Sequence, residues 1–131
     1  MHDAQEDLRA AIRFVRSKAA EYRIDTDRII ASGSSAGAFA TLFMAYAQNA
    51  EEGESGNPGY SSKPNGVLSF SGVLKEELMC RLEDGLPAHC FVNTGNDNTN
   101  DVGAVPGHPP MTLLHGTTDT VTPYVNGLAI H

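Results

Sequence analysis

Arg28-Ile-Ile-Ala-Ser-Gly-Ser-Ser-Ala-Gly-Ala38 is the stretch on which the reading of this chain turns. A short apolar run, Ile29-Ile30-Ala31, breaks into Gly33-x-Ser35-x-Gly37, and a helix-forming segment follows at once. A strand that must reverse into a helix within so few residues forces the apex residue into strained backbone angles and lifts its side chain clear of the sheet. Glycines two before and two after the apex relieve the crowding this creates. The pattern is that of a nucleophile elbow, with Ser35 as the candidate nucleophile. The N–H of Ala36 would lie at a helix N-terminus, where orphan donors and the helix dipole favour an oxyanion.

Working outward, Ala36 to Ala47 carries Phe39, Leu42, Phe43 and Tyr46 at spacings of three and four, so it reads as an apolar helix. Upstream, Leu8, Ile12, Val15, Ala19 and Tyr22 recur in the same way, with Arg9, Arg13, Arg16 and Lys18 between them. Asp3 to Tyr22 therefore reads as an amphipathic helix whose acidic start suits its dipole. In the Ile24-Asp-Thr-Asp-Arg28 turn, Asp25 and Asp27 are expected to bond the local backbone. Downstream, Gln48 to Asn65 has the composition of an exposed connection, and Gly66 to Gly72 is a second strand candidate. Leu74 to Leu82 reads as a short helix, Cys90 to Val92 as a brief strand, and Gly95 to Asp101 as a polar loop. That loop lacks the glycine and closing glutamate of an EF-hand, which argues against calcium. Met111 to His115 is a third strand candidate, followed by Gly116-Thr-Thr-Asp119, Pro123 and a helical pattern through His131.

Strands that are apolar runs alternating with helices argue for an α/β fold with a parallel sheet covered on both faces. The 131 residues set one domain by length, short of the about 200–250 that such folds often use. Nine basic against sixteen acidic residues leave a net charge of −7, which disfavours nucleic acid and anionic lipid. No apolar run approaches the roughly 20 residues of a membrane span. The polar, acidic start has no signal-peptide character, so a native N-terminus would read as cytosolic, and a truncated one would allow secretion. Cys80 and Cys90 read either as a disulfide in an oxidising compartment or as two free thiols.

In open parallel sheets chemistry gathers outside the carboxyl ends of the strands, which is where both Ser35 and Asp119 fall. A carboxylate there can orient a histidine and stabilise the imidazolium formed when it takes the serine's proton. The other reading of Asp119 is a cap on the turn before Pro123.

With both groups in view, the chain resembles part of an α/β-hydrolase of the esterase/lipase class, similar to small carboxylesterases whose elbow reads Gly-x-Ser-Ala-Gly. The resemblance rests on Asp7 to Val15, Ile24 to Ile29, Gly33-Ser-Ser-Ala-Gly37, and Pro110 to Asp119 with Thr122-Pro-Tyr124. It implies a mostly parallel sheet flanked by helices and a single, incomplete hydrolase domain bearing the middle and acid portions. It also implies a small carboxylic ester as substrate, no metal and no organic cofactor. The order of groups it implies is Ser, acid, His: Ser35 and Asp119 fill the first two places, with Ala36 in the oxyanion hole. The third is unassigned, because only His131 follows the acid, on a helical pattern that leads away from the rim. His89, His108 and His115 precede it, and His115 reads as a structural residue at a strand end. No His-Gly-Gly segment precedes the first helix to supply a second oxyanion donor. Beside ester hydrolysis two readings stay open: an inactive remnant used for binding or assembly, and a peptidase or depolymerase on the same fold. Oligomeric state is not legible.

Overall fold

The computed structural model describes residues 2–46, 55–72, 107–122 and 124. Over these the chain runs α1 (His2–Ser17), α2 (Ala19–Tyr22), β1 (Ile30–Ser34), α3 (Ala36–Tyr46), β2 (Gly66–Phe70) and β3 (Met111–Leu114). The three strands form one sheet in the order β1-β2-β3, every pair parallel. The fold is α/β with a parallel sheet, as expected. The readings at Leu74 to Leu82, Cys90 to Val92, Gly95 to Asp101 and Tyr124 to Ile130 fall wholly or largely outside the described residues, as do those of Cys80, Cys90, His89 and His131.

The expected single helix over Asp3 to Tyr22 is split at Lys18, although Lys18 N–H still bonds the Phe14 carbonyl at 3.0 Å. The second piece ends on Arg23, whose φ of 56° places it in the left-handed conformation that closes helix C-termini. In the following turn the Asp25 carboxylate accepts from the Asp27 N–H at 3.0 Å, which is the local role expected of it. Asn65 then sets the register of the sheet. Its Oδ1 accepts from Ile29 N–H at 3.1 Å and its own N–H donates to Ile29 O at 2.7 Å, directly ahead of the Ile30↔Gly66 pair.

α3 is buried around most of its circumference, from Ala38 through Met44 and at Tyr46. It packs on β1 and β2 from one side and against α1 from the other, which is why a helix without a polar face is stable there. Leu42, Tyr46 and Val67 form the core, with Ala45 and Met111 against it. The Tyr46 hydroxyl donates to the Pro109 carbonyl at 2.6 Å, tying the end of α3 to the approach to β3. Among the described residues helices cover only this side of the sheet. The other side carries Ile30, Phe70 and Leu114 as exposed among the described residues, and the helices expected over Leu74 to Leu82 and after Pro123 lie wholly or largely outside those residues. α1 stacks on α3. No helix of the described residues is long and apolar enough to cross a membrane.

α1 departs from expectation in one further respect. Arg9 and Arg13, expected on a solvated face, are buried at 6% and 1% exposure. Arg13 donates to the carbonyls of Ser55 and, at 2.9 Å, Gly56. Arg16 reaches Thr26 O and Lys63 O, both at 2.7 Å, while Arg9 pairs with Glu6 at 2.9 Å. Arg13 and Arg16 thus grip the backbone of the connection between α3 and β2, and Arg16 also holds the turn before β1. Arg13→Met keeps the aliphatic stem but removes the guanidinium that donates to the Ser55 and Gly56 carbonyls. It should cost about 1–3 kcal/mol in urea denaturation, and an unchanged midpoint would refute the clamp.

Candidate active site

β1 ends at Ser34 and α3 begins at Ala36, so residue 35 alone joins strand to helix. Its φ is 50°, a region that costs an L residue about 1–2 kcal/mol. Two backbone bonds impose that angle. Ser35 N–H donates to Phe70 O at 2.9 Å, continuing the β1–β2 ladder, and Ser35 O accepts from Phe39 N–H at 3.0 Å, opening the first turn of α3. The residue is exposed. Ala36 is the first residue of the helix, so its N–H has no acceptor within the helix and lies at the positive end of the dipole.

The two flanking glycines do different work. A Cβ on Gly33 would sit 2.3 Å from both the carbonyl carbon and oxygen of Gly37 and 2.6 Å from the Ala38 nitrogen. Strand and helix therefore touch backbone to backbone, which only glycine at 33 permits. A Cβ on Gly37 would meet nothing within 4 Å among the described residues. Of the pair, Gly33 leaves room for the backbone that Gly37 contributes.

Asp119 stands in the loop after β3, and its roles as cap and as rim carboxylate coexist. Oδ1 accepts from Val121 N–H at 2.9 Å and Thr122 N–H at 2.8 Å, capping the turn before position 123. Its Oδ2 lies 3.6 Å from His115 Nε2. Led by the Thr122 N–H, with the Val121 N–H and the nearby side chains of Ser71 and His115, these groups hold the carboxyl below the ordinary carboxylate range, against a smaller opposing effect of desolvation. A depressed value means the group is ionised at neutral pH. The bonds it accepts as an anion are lost only as pH falls through that lowered value.

His115 is buried, with 1% of its side chain exposed. Its Nε2 lies 2.6 Å from Thr122 O, the carbonyl of the residue that caps Asp119, and its ring meets Tyr124 edge-on at 5.9 Å. That is the structural role expected of it. His108 lies at the other end of β3, against the Tyr46 ring at 5.2 Å.

The register pairs Ser34 with Phe70 and Phe70 with Leu114, so Ser35, Ser71 and His115 stand level at the carboxyl ends of adjacent strands. With strands about 4.8 Å apart, residue 35 and the loop bearing Asp119 are separated by roughly 10 Å of backbone, with Ser71 between them. Sequence reasoning missed the left-handed backbone of Ser71, φ 52°; the available signal was the Ser-Gly pair that ends Gly66-Val-Leu-Ser-Phe-Ser-Gly72 at the same rim as Ser35.

No curated protein matches the chain. Solved structures do. The esterase Est2 of the Planctomycetes species Thermogutta terrifontis, with butyrate bound, is 28% identical with a TM-score of 0.70, covering 96% of this chain and 48% of that one. The same esterase phosphonylated by cyclosarin is 29% identical with a TM-score of 0.71, covering 96% of this chain and 45% of that one. A truncated carbohydrate esterase from gut microbiota, at 22% identity and TM-score 0.75, shares the fold over 96% of this chain and 53% of that one. The chain thus spans about half the length of these relatives. Its structural relatives are esterase-type hydrolases. The BD-FAE family model matches residues 2–81, more than half of the chain, and so, with the parallel sheet of an α/β-hydrolase behind that match, this chain belongs to the BD-FAE family.

Proposed function

We propose that this chain carries the nucleophile and acid of a serine hydrolase acting on carboxylic esters through an acyl-enzyme. Ser35 Oγ attacks the ester carbonyl while a histidine takes its proton, and Ala36 N–H stabilises the oxyanion of the tetrahedral intermediate. Collapse breaks the bond to the alcohol, which leaves with the proton returned by the histidine. Water, deprotonated in turn, attacks the acyl carbon and releases the acid with Ser35 restored. Asp119, ionised, orients the histidine and stabilises its charged form.

The observation that carries this reading is the left-handed backbone of Ser35, wedged between strand and helix. Such strain persists where the surroundings over-determine it, and it clusters at reactive residues. The butyrate-bound and phosphonylated esterase relatives lend support to ester chemistry and to small acyl groups. Incubation with a fluorophosphonate probe and nitrophenyl butyrate, followed by peptide mass mapping, should locate one adduct on Ser35 together with ester turnover. A folded sample with neither would refute the proposal.

One observation favours a second reading, a hydrolase-fold module used for binding or assembly. The two histidines whose side chains are described, His108 and His115, are both engaged away from Ser35. The same incubation separates the two readings.

A further inference from the structure

We infer that His115 is a positioning residue: its Nε2 carries a proton that it donates to the Thr122 carbonyl, and this bond fixes the turn that presents the Asp119 carboxylate at the sheet rim. The inference rests on the reading of Ser35 and Asp119 as nucleophile and acid.

The partner assigns the proton. A carbonyl oxygen only accepts, and Nε2 lies 2.6 Å from Thr122 O, so Nε2 must be the donor. The competing acceptor is the Asp119 carboxylate, whose Oδ2, at 3.6 Å, lies beyond hydrogen-bond range. The other ring nitrogen, Nδ1, is buried and has no partner among the described residues, so nothing there draws the proton away from Nε2. The ring is also held in place: its side chain is 1% exposed, and Tyr124 meets it edge-on at 5.9 Å.

Asp119 bonds its own loop on either side. Its N–H donates to Gly116 O at 3.2 Å, and its Oδ1 accepts from Val121 N–H at 2.9 Å and Thr122 N–H at 2.8 Å. Bonds of that kind fix the shape of the turn but not its place on the sheet. Thr122 supplies the link, because its N–H holds the carboxylate while its carbonyl is held by His115. His115 follows directly on β3, at a point where the ladder is still intact: Ser71 N–H donates to Leu114 O, and Ser35 N–H donates to Phe70 O, each at 2.9 Å. A series of bonds therefore runs from the backbone of Ser35 across the strand ends to the imidazole, and from there through Thr122 to the carboxylate. A misplacement of about 1 Å in a catalytic group can cost about 100-fold in rate, so a grip on this turn matters to Ser35 without touching it.

Three variants of the full chain separate the donor from the ring. His115→Phe keeps the bulk and removes the donor, His115→Gln sets an amide N–H as many bonds from the backbone as Nε2, and His115→Asn sets one as many bonds away as Nδ1. A long-range proton–nitrogen NMR spectrum of the wild-type chain should show Nε2 protonated. Asp119 is followed by carboxyl-carbon NMR through an acid titration, and Ser35 by its rate of phosphonylation. In the phenylalanine and asparagine variants the Asp119 midpoint should rise toward the ordinary carboxylate range as the turn loosens, and phosphonylation should slow about 10-fold. The glutamine variant should recover at least part of both. A ring needed only for packing would give the reverse order, with the phenylalanine variant the least affected. An unprotonated Nε2 overturns the inference even if no variant folds, and so does a glutamine variant that does no better than the asparagine one. A wild-type chain whose Ser35 takes no label overturns the esterase reading instead, and the spectrum and the titration still decide whether His115 holds the turn of Asp119.

Discussion

Ser35→Gly should yield a protein that is catalytically dead and more stable than its parent. The wild-type residue sits at a φ of 50°, where its Cβ crowds the following carbonyl. Glycine has no Cβ and occupies that region freely, although it also gains freedom in the unfolded chain. The balance should favour the variant by about 0.5–1 kcal/mol, or an increase of about 2–4 °C in the melting temperature for a chain of this size. Ser35→Ala separates the two effects. It keeps the Cβ and hence the strain, so its stability should stay close to the parent's while the hydroxyl is lost. Both variants should lose phosphonylation at position 35 and reduce ester hydrolysis by at least about 1,000-fold. A glycine variant that melts no higher than the alanine variant would show that the angle stores no strain. An alanine variant that still turns over ester would show that the nucleophile lies elsewhere.

The turn at residues 33 to 37 was legible because its chemistry is local. Two glycines bracketing a serine between a β-branched run and an apolar helix leave few backbones that fit, and the observed strand, turn and helix follow that pattern. The helical stripe of Leu8 and Ile12 was legible for a similar reason. Less so was the companion stripe of Arg9, Arg13 and Arg16, which has the same helical spacing but was read as solvated. Charge alone cannot tell an arginine in water from one whose guanidinium is saturated by carbonyls of a distant connection, as Arg13 is by Ser55 and Gly56. Asp119 was placed at the rim by topology. Which of its oxygens caps the turn was not visible, because that depends on the turn's own geometry. Ser71 was hidden for a physical reason too: what sets it apart is a backbone angle, which leaves no mark on the apolar strand before it. For the histidine that the resemblance implies, the residue in the expected order is His131, which lies outside the described residues.

The sharpest structural consequence concerns the glycine before the serine and not the one after it. Gly33→Ala would set a methyl 2.3 Å from the carbonyl carbon and oxygen of Gly37 and 2.6 Å from the nitrogen of Ala38. These are backbone atoms, so no side chain can swing aside, and the start of α3 must lift from β1. Because α3 contributes Leu42 and Tyr46 to the core, that lift disturbs packing well beyond the turn. The cost should reach roughly 3 kcal/mol or more, large against the 5–15 kcal/mol of a typical domain. Gly37→Ala meets nothing among the described residues at a helical position, so it should be neutral or stabilise by up to about 1 kcal/mol. Chemical denaturation of the two variants side by side measures the contrast. The fraction of Gly33→Ala that remains folded should also phosphonylate more slowly at Ser35, since the displaced helix end carries away the Ala36 N–H. Equal stability of the two variants would mean that β1 and α3 do not touch through backbone, and the strained joint at residue 35 would lose its physical cause.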